Sequence, residues 1–234
     1  MQTPSRMSAS TILILPLLWA AATASSGLLE SVCHEGSRGS TIHGYSLQPL
    51  GGADEPAVPL SRYAGKVLLL INVYPQLNAL KHRYGERLEI VAIPCNQFGL
   101  QEPGDDDEIL NGLKFVRPGG GFEPWFPVFA KIDVNGASEH PLYTHLKSSC
   151  PPVKLKIGDP SKLYWSPIKV GDVTWNFEKF LVDAEGVPYK RFDPSVNPEN
   201  LVPAIDALVA REDERNQIRK TVSEYFNPDE RLDF

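Results

Sequence analysis

The segment Lys66–Val73 (KVLLLINV) is apolar at almost every position, and Leu88–Pro94 (LEIVAIP) repeats that pattern. A short continuous apolar run of this kind predicts a strand buried on both faces, as in α/β sheets. Between the two runs, Leu77, Leu80 and Tyr84 fall at helical spacing, and the preceding Pro75 suits a first helical turn. A strand, a helix and a strand in this order predict a right-handed βαβ unit. Asp105-Asp106-Asp107-Glu108 then precedes Ile109, Leu110 and Leu113, placing acidic groups where a helix dipole is positive.

The rest of the pattern is less regular. Thr41–Leu47 alternates weakly and predicts one arm of a hairpin. Trp125–Ile132 predicts a strand, Asp133-Val134-Asn135-Gly136 a turn, and Leu142–Leu146 a helical turn. Residues 151–171 contain four Pro and two Gly without a period, and read as a surface excursion. Val173–Val182 and Val187–Phe192 flank Asp183-Ala184-Glu185-Gly186, a hairpin pattern. From Glu199 onward, Leu201, Ile205, Leu208 and Val209 share one helical face. Residues 211–234 are polar, with Ile218, Val222, Tyr225 and Phe226 at helical spacing, and read as a solvated helix or extension.

The two ends change the picture of where the chain works. Residues 1–24 combine Arg6, an apolar stretch from Thr11 to Ala22, and the small-residue signature Ala22-Thr23-Ala24. That is the pattern of a secretory signal peptide, and the stretch is short of the roughly 20 apolar residues of a spanning helix. The organisation read from sequence is therefore a signal peptide at 1–24, one α/β domain at 25–210 and a polar extension at 211–234, in a secreted, extracellular chain with no membrane span.

Charge and composition exclude several function classes. The net charge is −6 and no run of Lys or Arg exceeds two, which argues against a nucleic-acid partner. Five His and three Cys are scattered without zinc-ligand spacing, so no metal is expected. The acidic run 105–108 lacks the alternating oxygen ligands and distal Glu of a calcium loop. Three cysteines allow at most one internal disulfide. A Cys33–Cys150 bridge is compatible with secretion, but spacing alone leaves the pairing open. Cys95 ends an apolar strand, where a buried thiol is ordinarily inert.

Four motifs carry the chemistry. They are Leu77-Asn78-Ala79-Leu80; Pro94-Cys95-Asn96-Gln97-Phe98-Gly99 followed by Gln101-Glu102-Pro103-Gly104; Lys114 through Phe122 (KFVRPGGGF); and Trp175-Asn176-Phe177-Glu178-Lys179-Phe180-Leu181. In this order they resemble the glutathione peroxidase family over about residues 31–210, and with the leader and Cys33-His34 the secreted, plasma-type branch. The resemblance implies a thioredoxin-like α/β fold, a central mixed sheet flanked by helices. It implies reduction of hydrogen peroxide and organic or lipid hydroperoxides, an antioxidant role, with glutathione as reducing co-substrate and no other cofactor. A selenocysteine or cysteine of the family attacks the peroxide as the anion, which needs hydrogen-bond donors beside it. Gln97, Trp175 and Asn176 match the family's partners of that nucleophile and supply amide and indole N–H groups.

The nucleophile itself is missing. In the family, a loop carrying it separates the Asn-Val end of the first buried strand from the helix holding Leu-Asn-Ala-Leu. Here Asn72-Val73 runs directly into Tyr74-Pro75. Roughly nine residues are absent, where even ordinary strand-to-helix loops take about 2–6. Selenocysteine is encoded by a stop codon, so one origin is a coding sequence in which that codon was removed as a false intron. The other is a true splice form or pseudoenzyme, a secreted non-catalytic binding protein on a peroxidase scaffold. Retention of Gln97, Trp175 and Asn176 favours the first. A thiol isomerase reading would need a C-x-x-C, which is absent.

The resemblance also addresses the thiol and the assembly. Thioredoxin-dependent members place a resolving cysteine in the helix after the Pro-Cys-Asn-Gln-Phe motif, and residues 105–117 contain none. Arg117, Lys190 and Arg191 match or nearly match basic positions that tetrameric members set near the glutathione carboxylates, a task suited to the Arg fork. Val116–Phe122 resembles the loop joining subunits in those members, so the expected assembly is a homotetramer.

Overall fold

The alternation of side chains along two fully buried parallel strands organises the molecule. The computed structural model describes residues 29–34, 41–71, 76–154 and 156–226. Strands β4 (Val67–Ile71) and β5 (Leu88–Ala92) are buried at every position and pair in parallel from Val67–Leu88 to Ile71–Ala92. The intervening helix α1 (Leu77–Tyr84) is the one the spacing predicts. Strand β6 (Lys179–Val182) lies antiparallel on the other side of β4, and β7 (Pro188–Phe192) lies antiparallel to β6. A short β1 (Glu30–Val32) closes that edge, giving the mixed order β1-β7-β6-β4-β5. Two further short strands, β2 (Ser46–Leu47) and β3 (Val58–Pro59), form a separate pair.

Period-two alternation sends neighbouring residues to opposite faces. Leu68, Leu70, Val91, Phe180 and Val182 meet Leu142, Tyr143 and Leu146 of helix α3 (Pro141–Ser149) on one face. Val67, Leu69, Ile71, Ile90 and Leu181 meet Leu77, Leu80 and Tyr84 of α1, and Ile205, Leu208 and Val209 of helix α4 (Val202–Phe226), on the other. This is the expected thioredoxin-like arrangement, a mixed sheet with flanking helices. Helix α2 (Asp106–Phe115) starts as its acidic residues predict: Asp105 is the N-cap, and Glu108 Oε2 accepts from the Asp105 N–H at 3.0 Å in a capping box.

Several predicted elements change. Trp125–Ile132 forms no strand, only isolated bridges of Phe129 to Pro49 and of Val128 to Ala92. Pro124 and Pro127 remove N–H donors that a ladder needs. The hairpin strand begins at Lys179 rather than Val173, because Phe177 takes a positive φ of 68°. In addition, Glu178 Oε1 accepts from the Thr174 N–H and hydroxyl, turning that segment back on itself. Thr41–Leu47 is mostly a 3-10 turn, with only Ser46–Leu47 in a strand. Helix α3 is longer than the predicted turn, and α4 runs through residues 210 and 211 without a break. The expected signal peptide and the Val73–Tyr74 junction lie outside the described residues.

Cys33 and Cys150 are joined by a disulfide across 117 positions, tying β1 to the end of α3. A bridge over so long a loop restricts the unfolded chain by an amount on the order of 3–5 kcal/mol. Among the described residues, no helix is long and apolar enough to cross a membrane, and no three His, Cys, Asp or Glu side chains gather as a metal site.

Leu69 is fully buried at the centre of β4, whereas Leu110 on α2 is 43% exposed. Leu69→Ala is expected to lower unfolding free energy by about 3 kcal/mol and Leu110→Ala by less than about 0.5 kcal/mol, read from urea midpoints at constant slope.

Candidate active site

The carboxyl ends of β4 and β5 and the amino end of β6 lie at one edge of the sheet, because β4 and β5 are parallel and β6 is antiparallel to both. Two of the motifs meet there. Ile71, the last residue of β4, accepts from the Ile93 N–H at 2.9 Å, two residues before Cys95. Beyond β5 runs the loop 95–101, and just ahead of β6 stand Trp175 and Asn176. The crevice outside the carboxyl ends of sheet strands is where open α/β sheets bind ligands.

The structure sets Trp175 and Asn176 against the 98–101 segment. The rings of Phe98 and Trp175 are 5.8 Å apart, and Phe98 also packs edge-on against Trp165 at 5.3 Å. Asn176 Nδ2 donates to Gln101 Oε1 at 3.1 Å. Gln97 is next to this group along the chain, but its amide points elsewhere. Its Oε1 accepts from the Val134 and Asn135 N–H groups, each at 3.0 Å, and its Nε2 donates to the Asn135 carbonyl at 2.9 Å. With Gln97 only 5% exposed, this is a buried amide satisfied by main chain.

Asn135, a residue that the sequence offered only as part of a turn, is the bridge between the two motifs. Its Nδ2 donates to the Val173 carbonyl and its Oδ1 accepts from the Val173 N–H, both at 2.9 Å. Gln97, Asn135 and Val173 thus form one hydrogen-bonded chain from the first motif to the segment carrying Trp175. Lys147 on α3 reinforces it, donating to Asn135 Oδ1 at 3.1 Å and pairing with Glu139 at 2.5 Å and Asp172 at 3.0 Å. Asp172 in turn accepts from the Trp165 indole at 2.9 Å.

Arg191 corrects an expectation. It is fully buried, so it is not open to a glutathione carboxylate from solvent. Its Nε donates to Glu178 Oε2 at 2.7 Å, with Nη2 at 2.6 Å from the same oxygen. Nη1 donates to the Gly171 carbonyl and Nη2 to the Asp172 carbonyl, each at 3.0 Å. The guanidinium therefore holds the segment 171–178 to β7. Lys190 pairs with Glu30 at 2.6 Å on the β1 side of the sheet, while Arg117 is exposed beyond α2 at the β5 side. The structure does not bring Arg117 and Lys190 together within one chain.

Cys95 is 2% exposed, and burial pushes its thiol from the ordinary 9.0 up to about 11. Burial also raises the neighbouring Tyr143. Lys179, whose Nζ donates to the Asp193 and Pro194 carbonyls at 3.0 Å, is lowered to about 8 by burial, against the attraction of Asp193 and Glu178.

Residues 44–147 match the family model described as glutathione peroxidase. Glutathione peroxidase 3 of Rattus norvegicus is 48% identical over 170 residues, covering 68% of this chain and 74% of that protein. This chain belongs to the glutathione peroxidase family. Glutathione peroxidase 1 of Rattus norvegicus is 44% identical over 189 residues, covering 74% of this chain and 92% of that protein. The crystal structure of T. cruzi GPX1 superposes with a TM-score of 0.52 at 27% identity, over 73% of this chain and 97% of that one.

The raised Cys95 thiol stays protonated in the native protein where an unfolded thiol ionises. Its contribution to stability is therefore complete below about pH 9 and is lost between about 9 and 11. At pH 8, iodoacetamide is expected to leave Cys95 unmodified in the folded chain and to alkylate it in urea. Rapid labelling of the folded chain would contradict its burial.

Proposed function

We propose that this scaffold serves thiol-dependent reduction of hydrogen peroxide and organic or lipid hydroperoxides, with glutathione as reductant. The single observation that carries the reading is the meeting of two motifs at the carboxyl edge of β4 and β5. The 95–101 loop and Trp175-Asn176 both reach that edge, where β4 ends at Ile71. A selenolate or thiolate on a loop restored between Val73 and Tyr74 would enter the crevice beside them. There it would attack the peroxide oxygen, become the selenenic or sulfenic acid and release the alcohol or water. One thiol would then displace water to give a mixed sulfide, and a second would regenerate the nucleophile and leave as the disulfide. Trp175 and Asn176 contribute N–H donors to the anion. The chain as written lacks that nucleophile and is inactive, since the buried Cys95 is no substitute.

The assembly proposed with this activity is a homotetramer through Val116–Phe122, where Val116 is 78% exposed and Phe115, at the end of α2 just before it, is 68% exposed. Arg117 in that loop is the basic residue left for a glutathione carboxylate. Secretion is the matching localisation, and the Cys33–Cys150 disulfide suits an oxidising compartment. A second reading, a secreted non-catalytic binding protein, is favoured by the Gln97 amide, whose hydrogen bonds go to the 134–135 main chain.

Peroxidase activity coupled to glutathione oxidation tests the two readings. The chain as written is expected to be inactive, and a chain with a cysteine-bearing family loop inserted between Val73 and Tyr74 to be active. In the restored chain, Trp175→Phe is expected to lower kcat by at least about tenfold, the scale of a lost transition-state donor. Inactivity of a folded restored chain would support the binding-protein reading, and activity of the chain as written would overturn the site assignment. An in-frame TGA codon between those of Val73 and Tyr74 in the gene is the corresponding genomic expectation.

A further inference from the structure

We infer that the Cys33–Cys150 disulfide is a thiol-exchange site, in which a small peptide or amino-acid thiol carrying both carboxylate and ammonium groups attacks Cys33. The two sulfurs are not equivalent. Cys150 is completely buried at the end of α3, whereas Cys33 lines a cavity of about 450 Å³ between β1, the β6–β7 hairpin and α4. That volume is ordinary for a small-molecule site. Cys33 is itself 6% exposed, and it, not Cys150, is the half of the bridge that lines a ligand-sized space.

The cavity wall suits a doubly charged thiol. Arg211 and Arg215 project from successive turns of α4 into the lining, and Asp183 and Glu185 face them from the hairpin. Arg211 pairs with Asp183 at 2.5 Å and Arg215 with Glu185 at 3.0 Å. Arg211 is 41% exposed against a 10% exposed Asp183, whereas Arg215 and Glu185 are 33% and 46% exposed, so the Arg215–Glu185 pair is the more solvated one and exchanges partners at small cost. A carboxylate can take an arginine fork while an ammonium takes the carboxylate it leaves. Tyr189, which also lines the cavity, supplies an apolar wall under Arg211, 6.0 Å from ring centre to guanidinium.

The step is redox-neutral overall and needs no separate oxidant. The incoming thiolate forms a bond to Cys33 Sγ as the bond to Cys150 Sγ breaks. The electron pair departs on Cys150, which takes up the proton that the incoming thiol released. The product is a mixed disulfide at Cys33 and a free thiol at Cys150.

Release of the bridge has a structural consequence. Leu29 and Val32 are 54% and 62% exposed, so β1 has little apolar burial of its own. Without the disulfide it is held by its ladder to β7, the Ser31 hydroxyl on the Pro151 carbonyl at 2.6 Å and the Lys190–Glu30 pair. Thiolation at Cys33 thus loosens the edge strand of the sheet.

The inference does not depend on peroxidase activity, and its test uses the full oxidised chain as written. The chain is treated with glutathione, 2-mercaptoethanol or cysteamine at equal thiolate concentration, quenched in acid and mapped by peptide mass. The expected adduct is one glutathionyl group on Cys33, with Cys150 as the new free thiol. Glutathione is expected to react about tenfold faster than either other thiol at low salt. R211Q/R215Q is expected to remove that margin, and so is high salt in the unaltered chain, which needs no variant to fold. An adduct on Cys150, equal rates for the three thiols, or no adduct would each overturn the proposal.

Discussion

The buried ion pair between Arg191 and Glu178 is the interaction on which the rest of the site depends. Both side chains are fully withdrawn from water, and each is hydrogen-bonded on more than one side. Such a pair is costly to form and more costly to break, because removing one member leaves an uncompensated charge in a low-dielectric interior. The geometry makes use of that penalty. Arg191 is fixed on β7 and reaches across to the 171–178 segment, while Glu178 folds that segment back through Thr174. The stretch carrying Trp175 and Asn176 is consequently held as a rigid loop rather than continuing β6.

A second polar chain locks the opposite wall. Gln97, Asn135 and Val173 link the loop after β5 to the same segment, and Lys147 with Asp172 and Glu139 ties that chain to α3. Buried networks of this kind rigidify when every member is satisfied. The carboxyl edge of the sheet is therefore preorganised on the 95–101 and 171–178 sides. The last residue of β4, Ile71, ends at the same edge.

The sheet was legible in the sequence where burial is two-sided, as in β4 and β5, since a short continuous apolar run has no face it can turn to water. Helix α2 was legible from its acidic cap. Segments whose conformation comes from side-chain hydrogen bonds were not. Val173–Glu178 looks like a strand in residue type, yet Glu178 and the positive φ of Phe177 turn it into a loop. Trp125–Ile132 is rich in β formers but interrupted by proline. The motifs named Gln97, Trp175 and Asn176, while the bridging role of Asn135 and the buried role of Arg191 depend on partners far apart in the chain. An arginine near a binding motif reads as a ligand contact, and only packing reveals that this one faces inward. The Cys33–Cys150 pairing was one possibility in the sequence and is a bond in the structure.

A double-mutant cycle measures whether one buried ion pair fixes the Trp175–Asn176 segment. Unfolding free energies of Glu178→Gln, Arg191→Met and the double variant would be compared. Each single change is expected to cost about 3–5 kcal/mol, and the double variant to cost no more than either alone, because no unpaired charge remains. Losses that simply add in the double variant would show that the two side chains act independently and would contradict the account.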